Sequence, residues 1–129
     1  MPRFFNFVKH NSLREILLDK KLAKLGDSYI NFIYSIANSK KKNEPTNERV
    51  SSVILAESLK RAGLREYLPN RIDRHDQGDA VEALLVYTWL YDIISLEESV
   101  DILADKADVP VEAFSNLIEV TMKRLGAMK

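Results

Sequence analysis

Three acidic residues recur at intervals of three near the middle of the chain: Asp76, Asp79 and Glu82. On an α-helix this spacing places the carboxylates near one face, over two turns. From Ala80 onward the segment is apolar on nearly every side, so Asp79 and Glu82 lie where the helix becomes buried. Buried carboxylates repel each other unless a cation or hydrogen-bond donors oppose them. A hard divalent cation such as Mg²⁺ is one such partner. The positive end of the helix dipole is another, since all three acids lie in the first turns.

A fourth acid, Asp27, follows Gly26 in a helical pattern far upstream. Acids contributed by two helices, each beside apolar positions, can bind a metal ion between those helices. Asp27 can equally stay in solvent, or pair with Lys20 or Lys24. The spacing by itself leaves both interpretations open.

Helical periodicity dominates the elements that must position these acids. Ser12 and Glu15 have the spacing of a capping box, and an amphipathic pattern runs from about Asp19 to Ala37. Gly26 lies inside that pattern at a cost of about 1 kcal/mol relative to alanine, which suggests close approach of another segment. Further helices are predicted over about residues 48–62, 76–90, 95–107 and 110–125, with loops over residues 38–47 and 64–75.

The same periodicity predicts which side chains face the core. In the helix over residues 19–37 they are Leu22, Leu25, Tyr29, Phe32, Ile33 and Ile36, and in the next helix Val50, Val53, Ile54, Leu59 and Ala62. Gly63 has the type and place expected just after a helix end. Strand-like alternation is absent, so the sequence predicts an all-α fold in one domain over residues 1–129.

Composition excludes several classes of function. The chain has 129 residues, of which 46% are hydrophobic and 29% charged, and it contains no cysteine. Disulfide scaffolds, thiolate metal sites and cysteine nucleophiles are therefore excluded. No apolar run approaches the roughly 18 residues of a membrane span. The apolar stretch within the first ten residues is too short for a signal peptide. We expect a cytoplasmic protein.

Charge is unevenly distributed, although the formal net charge is zero. Residues 1–42 carry nine basic and three acidic side chains, whereas residues 76–129 carry four basic and eleven acidic ones. Such a chain can present a basic face to a polyanion while keeping acidic groups elsewhere. Ordinary solvated helix faces would produce the same pattern.

Three segments resemble the ribonuclease III family. Residues 22–30, LAKLGDSYI, resemble the family's signature helix, which reads LEFLGDSVL. Residues 78–85, GDAVEALL, resemble its second acidic motif, D-x-x-E-A-L. Between them, residues 49–57 and 62–64 are similar to the family's stretch L-V-x-x-x-x-L-A-x-x-A followed by L-G-L. Order and rough spacing agree from about residue 13 to residue 92.

The resemblance implies an all-helical, homodimeric endonuclease that uses Mg²⁺, with Mn²⁺ as a substitute, to hydrolyse double-stranded or structured RNA. Asp27, Asp79 and Glu82 match the family's acids and would be the catalytic residues and metal ligands. Asp76, one turn before Asp79, could contribute through a water molecule.

Three positions depart from the family pattern. Ala23 replaces a glutamate, Lys24 replaces an aromatic residue, and Lys20 replaces a further acid. Reduced bacterial forms, called mini-ribonuclease III, also read L-A-x-x-G-D at this helix and lack a separate RNA-binding domain. Ala23 therefore does not imply inactivity. If catalysis is impaired, the same fold could serve as an RNA-binding or assembly module, or as a protein-interaction domain without an RNA role.

No separate double-stranded RNA-binding domain is expected after the helices. Phosphate contacts would then come from the catalytic domain, with six lysines as candidates: Lys20, Lys21, Lys24, Lys40, Lys41 and Lys42. Recognition of double-stranded RNA rests on shape, phosphates and 2′-hydroxyls, so few base-reading groups are expected. A solvated loop is the alternative interpretation of the run over residues 40–42.

Overall fold

The computed structural model describes residue 10 and residues 12–127. Within that part the chain forms six α-helices, one 3₁₀ turn and no strand, which confirms the predicted all-α fold. None of these helices has the length and apolar character to cross a membrane. The helices are α1 (Leu13–Leu17), α2 (Lys20–Lys42), α3 (Ser52–Arg61), α4 (Arg74–Leu90), α5 (Leu96–Asp105) and α6 (Pro110–Ala127), and the 3₁₀ turn is Arg65–Tyr67.

Helix α4 is the centre of the domain. From Gln77 to Leu90 nearly all its side chains are buried, as its apolar sequence predicts. Helices α2 and α3 make the most extensive contacts with it, and α5 and α6 complete the core against α2 and α3. The acidic start of α4 is thereby placed beside both α2 and the beginning of α3.

Side-chain caps set where the helices begin. The Asp19 carboxylate accepts the Leu22 N–H at 2.9 Å at the start of α2, and the Asp73 carboxylate accepts the Asp76 N–H at 2.8 Å at the start of α4. Ser12 caps α1, and Ser95 forms the predicted capping box with Glu98. Because a cap defines the first turn, it also sets the face on which later acids project.

Gly26 lies where α2 and α4 come closest. A Cβ atom at this position would stand 2.1 Å from the Glu82 carbonyl oxygen and 2.4 Å from its carbonyl carbon. Both atoms belong to the α4 backbone, so a side chain cannot be accommodated by a simple rotamer change. The close approach predicted from Gly26 is confirmed, and it places the next residue, Asp27, beside Glu82.

Several predicted boundaries are wrong. Helix α2 continues past Ala37 to Lys42, because lysines form helices well and basic residues favour a helix C-terminus. Asn43 then ends it in the left-handed conformation, with φ of 59°. Helix α3 begins at Ser52 rather than Glu48, since the Ser51 hydroxyl caps it. Helix α4 begins two residues before Asp76, and α6 continues through Gly126.

Some positions predicted to face the core are exposed. Leu25 and Phe32 have 38% and 57% of their surface exposed, and Val53 on α3 has 48%. Leu25 and Phe32 are seven positions apart and therefore share one face of α2, adjacent to the buried face that holds Ile30 and Ile33. Periodicity identified a wide apolar stripe correctly, but the neighbouring helices cover only part of it.

Gly26→Ala should destabilise the fold. The added methyl group must push two helix backbones apart, so we expect the free energy of unfolding to fall by about 3 kcal/mol or more. Gly126→Ala is the matched control, because no atom lies within 4 Å of a Cβ placed there. It should leave stability unchanged or raise it by up to about 1 kcal/mol. Urea denaturation measures both variants, and equal stabilities would contradict the packing described here.

Candidate active site

A cleft of about 800 Å³ lies between α2, the start of α3 and the start of α4. All four acids singled out from the sequence line it. Basic side chains from α2, from the segment before α3 and from α4 line it as well. The cleft therefore contains both acidic and basic groups. The charged and ionisable lining residues are Lys20, Lys24, Asp27, Arg49, His75, Asp76, Asp79 and Glu82.

Glu82 is the meeting point of the acids. Its half-buried carboxyl group is hydrogen-bonded to both Asp27 and Asp79, so side chains more than fifty positions apart converge. The pKa of Glu82 is raised from 4.5 to about 8, first by burial, then by the hydrogen bond and charge of Asp27, and then by Asp79. At neutral pH Glu82 therefore holds a proton, and this proton relieves the repulsion among the three carboxyl groups.

Lys20 neutralises the outer edge of the acidic group. Its ammonium group donates to Asp76 Oδ1 and, at 3.0 Å, to Asp79 Oδ2. Partial burial acts to lower the pKa of Lys20, but the two carboxylate hydrogen bonds outweigh it and the pKa is raised. The hydrogen bond from Lys20 lowers the pKa of Asp76. His75, which is exposed, places Nε2 3.6 Å from Asp79 Oδ2 and is a weaker partner.

Asp27 is held by two residues that the sequence did not single out for a role in the site. Asn31, one turn later on α2, is buried and donates to Asp27 Oδ1 at 3.1 Å and to the Asp27 carbonyl at 2.8 Å. Its own Oδ1 accepts the Val50 N–H at 2.9 Å. Arg49 then reaches over the cleft, with Nη2 3.4 Å from both Asp27 carboxylate oxygens. The i, i+4 spacing of Asp27 and Asn31 could have predicted from the sequence that these side chains interact. No short-range spacing connects Arg49 with Asp27, which lies 22 positions earlier.

The donor set fits a divalent cation in its chemistry. Asp27, Asp79 and Glu82 supply carboxylate oxygens, the ligands that Mg²⁺ prefers, and a cation between them would offset the repulsion of an ionised Glu82 by Asp27 and Asp79. The set is not preassembled, however. Within residues 10 and 12–127 no three acids or histidines are arranged as a metal-holding group. Lys20 and Arg49 lie on the acids, so binding would require these side chains to shift and Glu82 to lose its proton.

The six candidate lysines do not form one surface. Lys20 and Lys24 line the cleft and Lys21 is exposed beside them. The run over residues 40–42 lies at the other end of α2, roughly 30 Å away along the helix axis. There Lys40 pairs with Asp101 and Lys42 with Glu48, while Lys41 is exposed.

Fold and cleft together define an all-α domain that gathers acids from two helices beside a cationic rim. The family model described as Ribonuclease III matches residues 20–128. The chain therefore belongs to the ribonuclease III family, and the resemblance found in its sequence motifs is confirmed. No curated protein matches the chain.

Stability should depend on the protonation of Glu82. As pH rises from 4.5 to about 8, the unfolded chain loses this proton while the folded chain keeps it, so unfolding becomes progressively easier. The contribution of protonated Glu82 to the free energy of unfolding is fully present below pH 4.5 and is lost above about pH 8. Glu82→Gln cannot ionise and should show a smaller decline in this range. Urea denaturation in EDTA at several pH values measures the difference; parallel pH profiles for the two proteins would contradict it.

Proposed function

We propose that this domain is a metal-dependent endoribonuclease that hydrolyses phosphodiester bonds in double-stranded or structured RNA, with Mg²⁺ as the metal and Mn²⁺ as a substitute. The convergence of Asp27, Asp79 and Glu82 in one cleft supports the proposal most directly. Membership of the ribonuclease III family points to the same reaction class, since enzymes of this family generally use a divalent metal.

The three acids would hold the metal through their carboxylate oxygens. Bound there, Mg²⁺ would stabilise negative charge on the scissile phosphate and make a water molecule more acidic. The carboxyl group of Glu82 would release its proton on binding the cation, because a nearby positive charge favours the ionised form. Asn31 would keep Asp27 in position. Its side chain donates a hydrogen bond to the Asp27 carboxylate and accepts one from the Val50 N–H, in the segment just before α3. Asp76 remains a proposed contributor through water.

Cationic side chains at the cleft would bind the RNA backbone. Lys24 on α2 and Arg49 in the segment before α3 line the cleft, and Lys21 is exposed on α2. Phosphates flanking the cut would neutralise this rim, and binding would weaken steeply with salt as counterions are released. The run over residues 40–42 is far enough away to contact a different part of a duplex.

A homodimer would bring two such clefts together. Leu25 and Phe32 form an exposed apolar stripe on α2 that no helix of the described chain covers. A two-fold axis through such a stripe would bury the same side chains of both subunits. It would also place one acidic cleft on each side of the interface, as cleavage of two strands requires.

Cleavage should depend on the acidic cleft. Asp79→Asn removes one charged oxygen donor, so we expect hydrolysis of double-stranded RNA in Mg²⁺ to fall by roughly a hundredfold or more. Asp108→Asn changes an exposed acid in the turn before α6, away from the cleft, and should retain full activity. Gel analysis of RNA products in Mg²⁺, Mn²⁺ and EDTA makes the comparison. Cleavage that persists in EDTA or in Asp79→Asn would refute the assignment.

A non-catalytic RNA-binding or assembly module is the second candidate. Two observations favour it: Ala23 contributes no donor to the cleft, and Lys20 and Arg49 already lie on the acids. This function predicts that a gel shift detects binding of double-stranded RNA at low salt, while no metal supports cleavage.

The apolar stripe should govern association. Phe32→Ser removes the most exposed large apolar side chain of α2, so we expect the dimer to dissociate to monomers at micromolar concentration. Val109→Ser is the matched control, since Val109 has 42% of its surface exposed but lies before α6. Analytical ultracentrifugation measures both. A wild-type protein that sediments as a monomer would rule out the dimer.

A further inference from the structure

Lys20 is a cation built into the proposed metal site. It is the first residue of α2, directly after Asp19, whose carboxylate caps the helix. His10 Nε2 lies 2.9 Å from Asp19 Oδ2 and so contacts this cap. From there its ammonium group reaches across to α4 and touches Asp76 and Asp79 together. Asp79 thus meets Lys20 and, at a longer distance, His75 at its Oδ2 atom, and it also contacts the carboxyl group of Glu82.

We propose that Lys20 competes with the divalent cation for Asp79, so that Asp79 can bind the metal only after the ammonium group has moved away. This inference rests on the proposed function. An ammonium group is a compact point charge on a flexible stem. Lys20 Nζ lies 3.0 Å from Asp79 Oδ2, and Mg²⁺ binds oxygen at about 2 Å, so an ion on that oxygen would lie within about 5 Å of the ammonium group. In this arrangement Asp76 holds Lys20 directly and contributes to metal binding only through water.

A role for Lys20 in holding RNA phosphate fits the contacts less well. Two carboxylates surround the ammonium group, so the local charge of the three groups together is negative. A phosphate approaching Lys20 would meet Asp76, whose surface exposure is lower than that of Lys20 but still substantial. Lys24 and Arg49, by contrast, line the cleft with fewer acids beside them.

Manganese titration followed by electron paramagnetic resonance tests the proposal without RNA. Lys20→Met removes the charge and keeps an apolar stem, and Mn²⁺ should then bind roughly tenfold more tightly. Lys21→Met is the matched control: this exposed neighbour does not line the cleft, and its loss should change the affinity by less than about twofold. In the double variant Lys20→Met, Asp79→Asn the gain should disappear, because the gain acts through Asp79.

Each result decides the question. Equal or weaker Mn²⁺ binding in Lys20→Met, in a protein whose circular dichroism spectrum is unchanged, would overturn the competition. A gel shift that weakens in the same variant would then assign Lys20 to RNA phosphate. Failure of wild-type protein and Lys20→Met alike to bind Mn²⁺ would overturn the proposed metal-dependent function as well, so the two failures are distinguishable.

Discussion

The contact between Gly26 on α2 and the Glu82 backbone on α4 is the constraint on which the site depends. With no side chain between them, the two helices approach to a distance at which any Cβ atom would collide with a carbonyl group. Residues next to this contact must therefore face each other across a short gap. Asp27 and Glu82 are such residues, and their carboxyl groups meet because the backbones do.

Close packing brings four carboxyl groups into one cleft, where burial and mutual repulsion disfavour their ionisation. Three features reduce the repulsion among these carboxyl groups. Lys20 pairs with Asp76 and Asp79, Arg49 pairs with Asp27, and Glu82 keeps a proton. Each of these three features is reversible, because the side chains of Lys20 and Arg49 are long and largely exposed and the proton on Glu82 can dissociate. A site balanced in this way can exchange its internal cations for a metal ion or for the counter-charges of a substrate.

Local features were well predicted because they depend on residues close in sequence. The capping box of Ser95 and Glu98, the turn at Gly63 and the buried character of α4 all follow from short-range spacing. The end of α2 was missed because helix-forming lysines outweighed the polar, loop-like composition around Asn38. Leu25 and Phe32 were assigned to the core because periodicity shows which residues share a face, but not whether another helix covers that face.

The sequence alone determined the helical class, the family motifs and the acids that could act together, because residue types and short spacings encode all three. Tertiary structure decided which side chains meet. The pairing of Lys20 with Asp79, the reach of Arg49 to Asp27 and the proton on Glu82 join segments far apart in the chain. Such contacts depend on how α2, α3 and α4 pack, and packing geometry is not contained in the periodicity of any one helix.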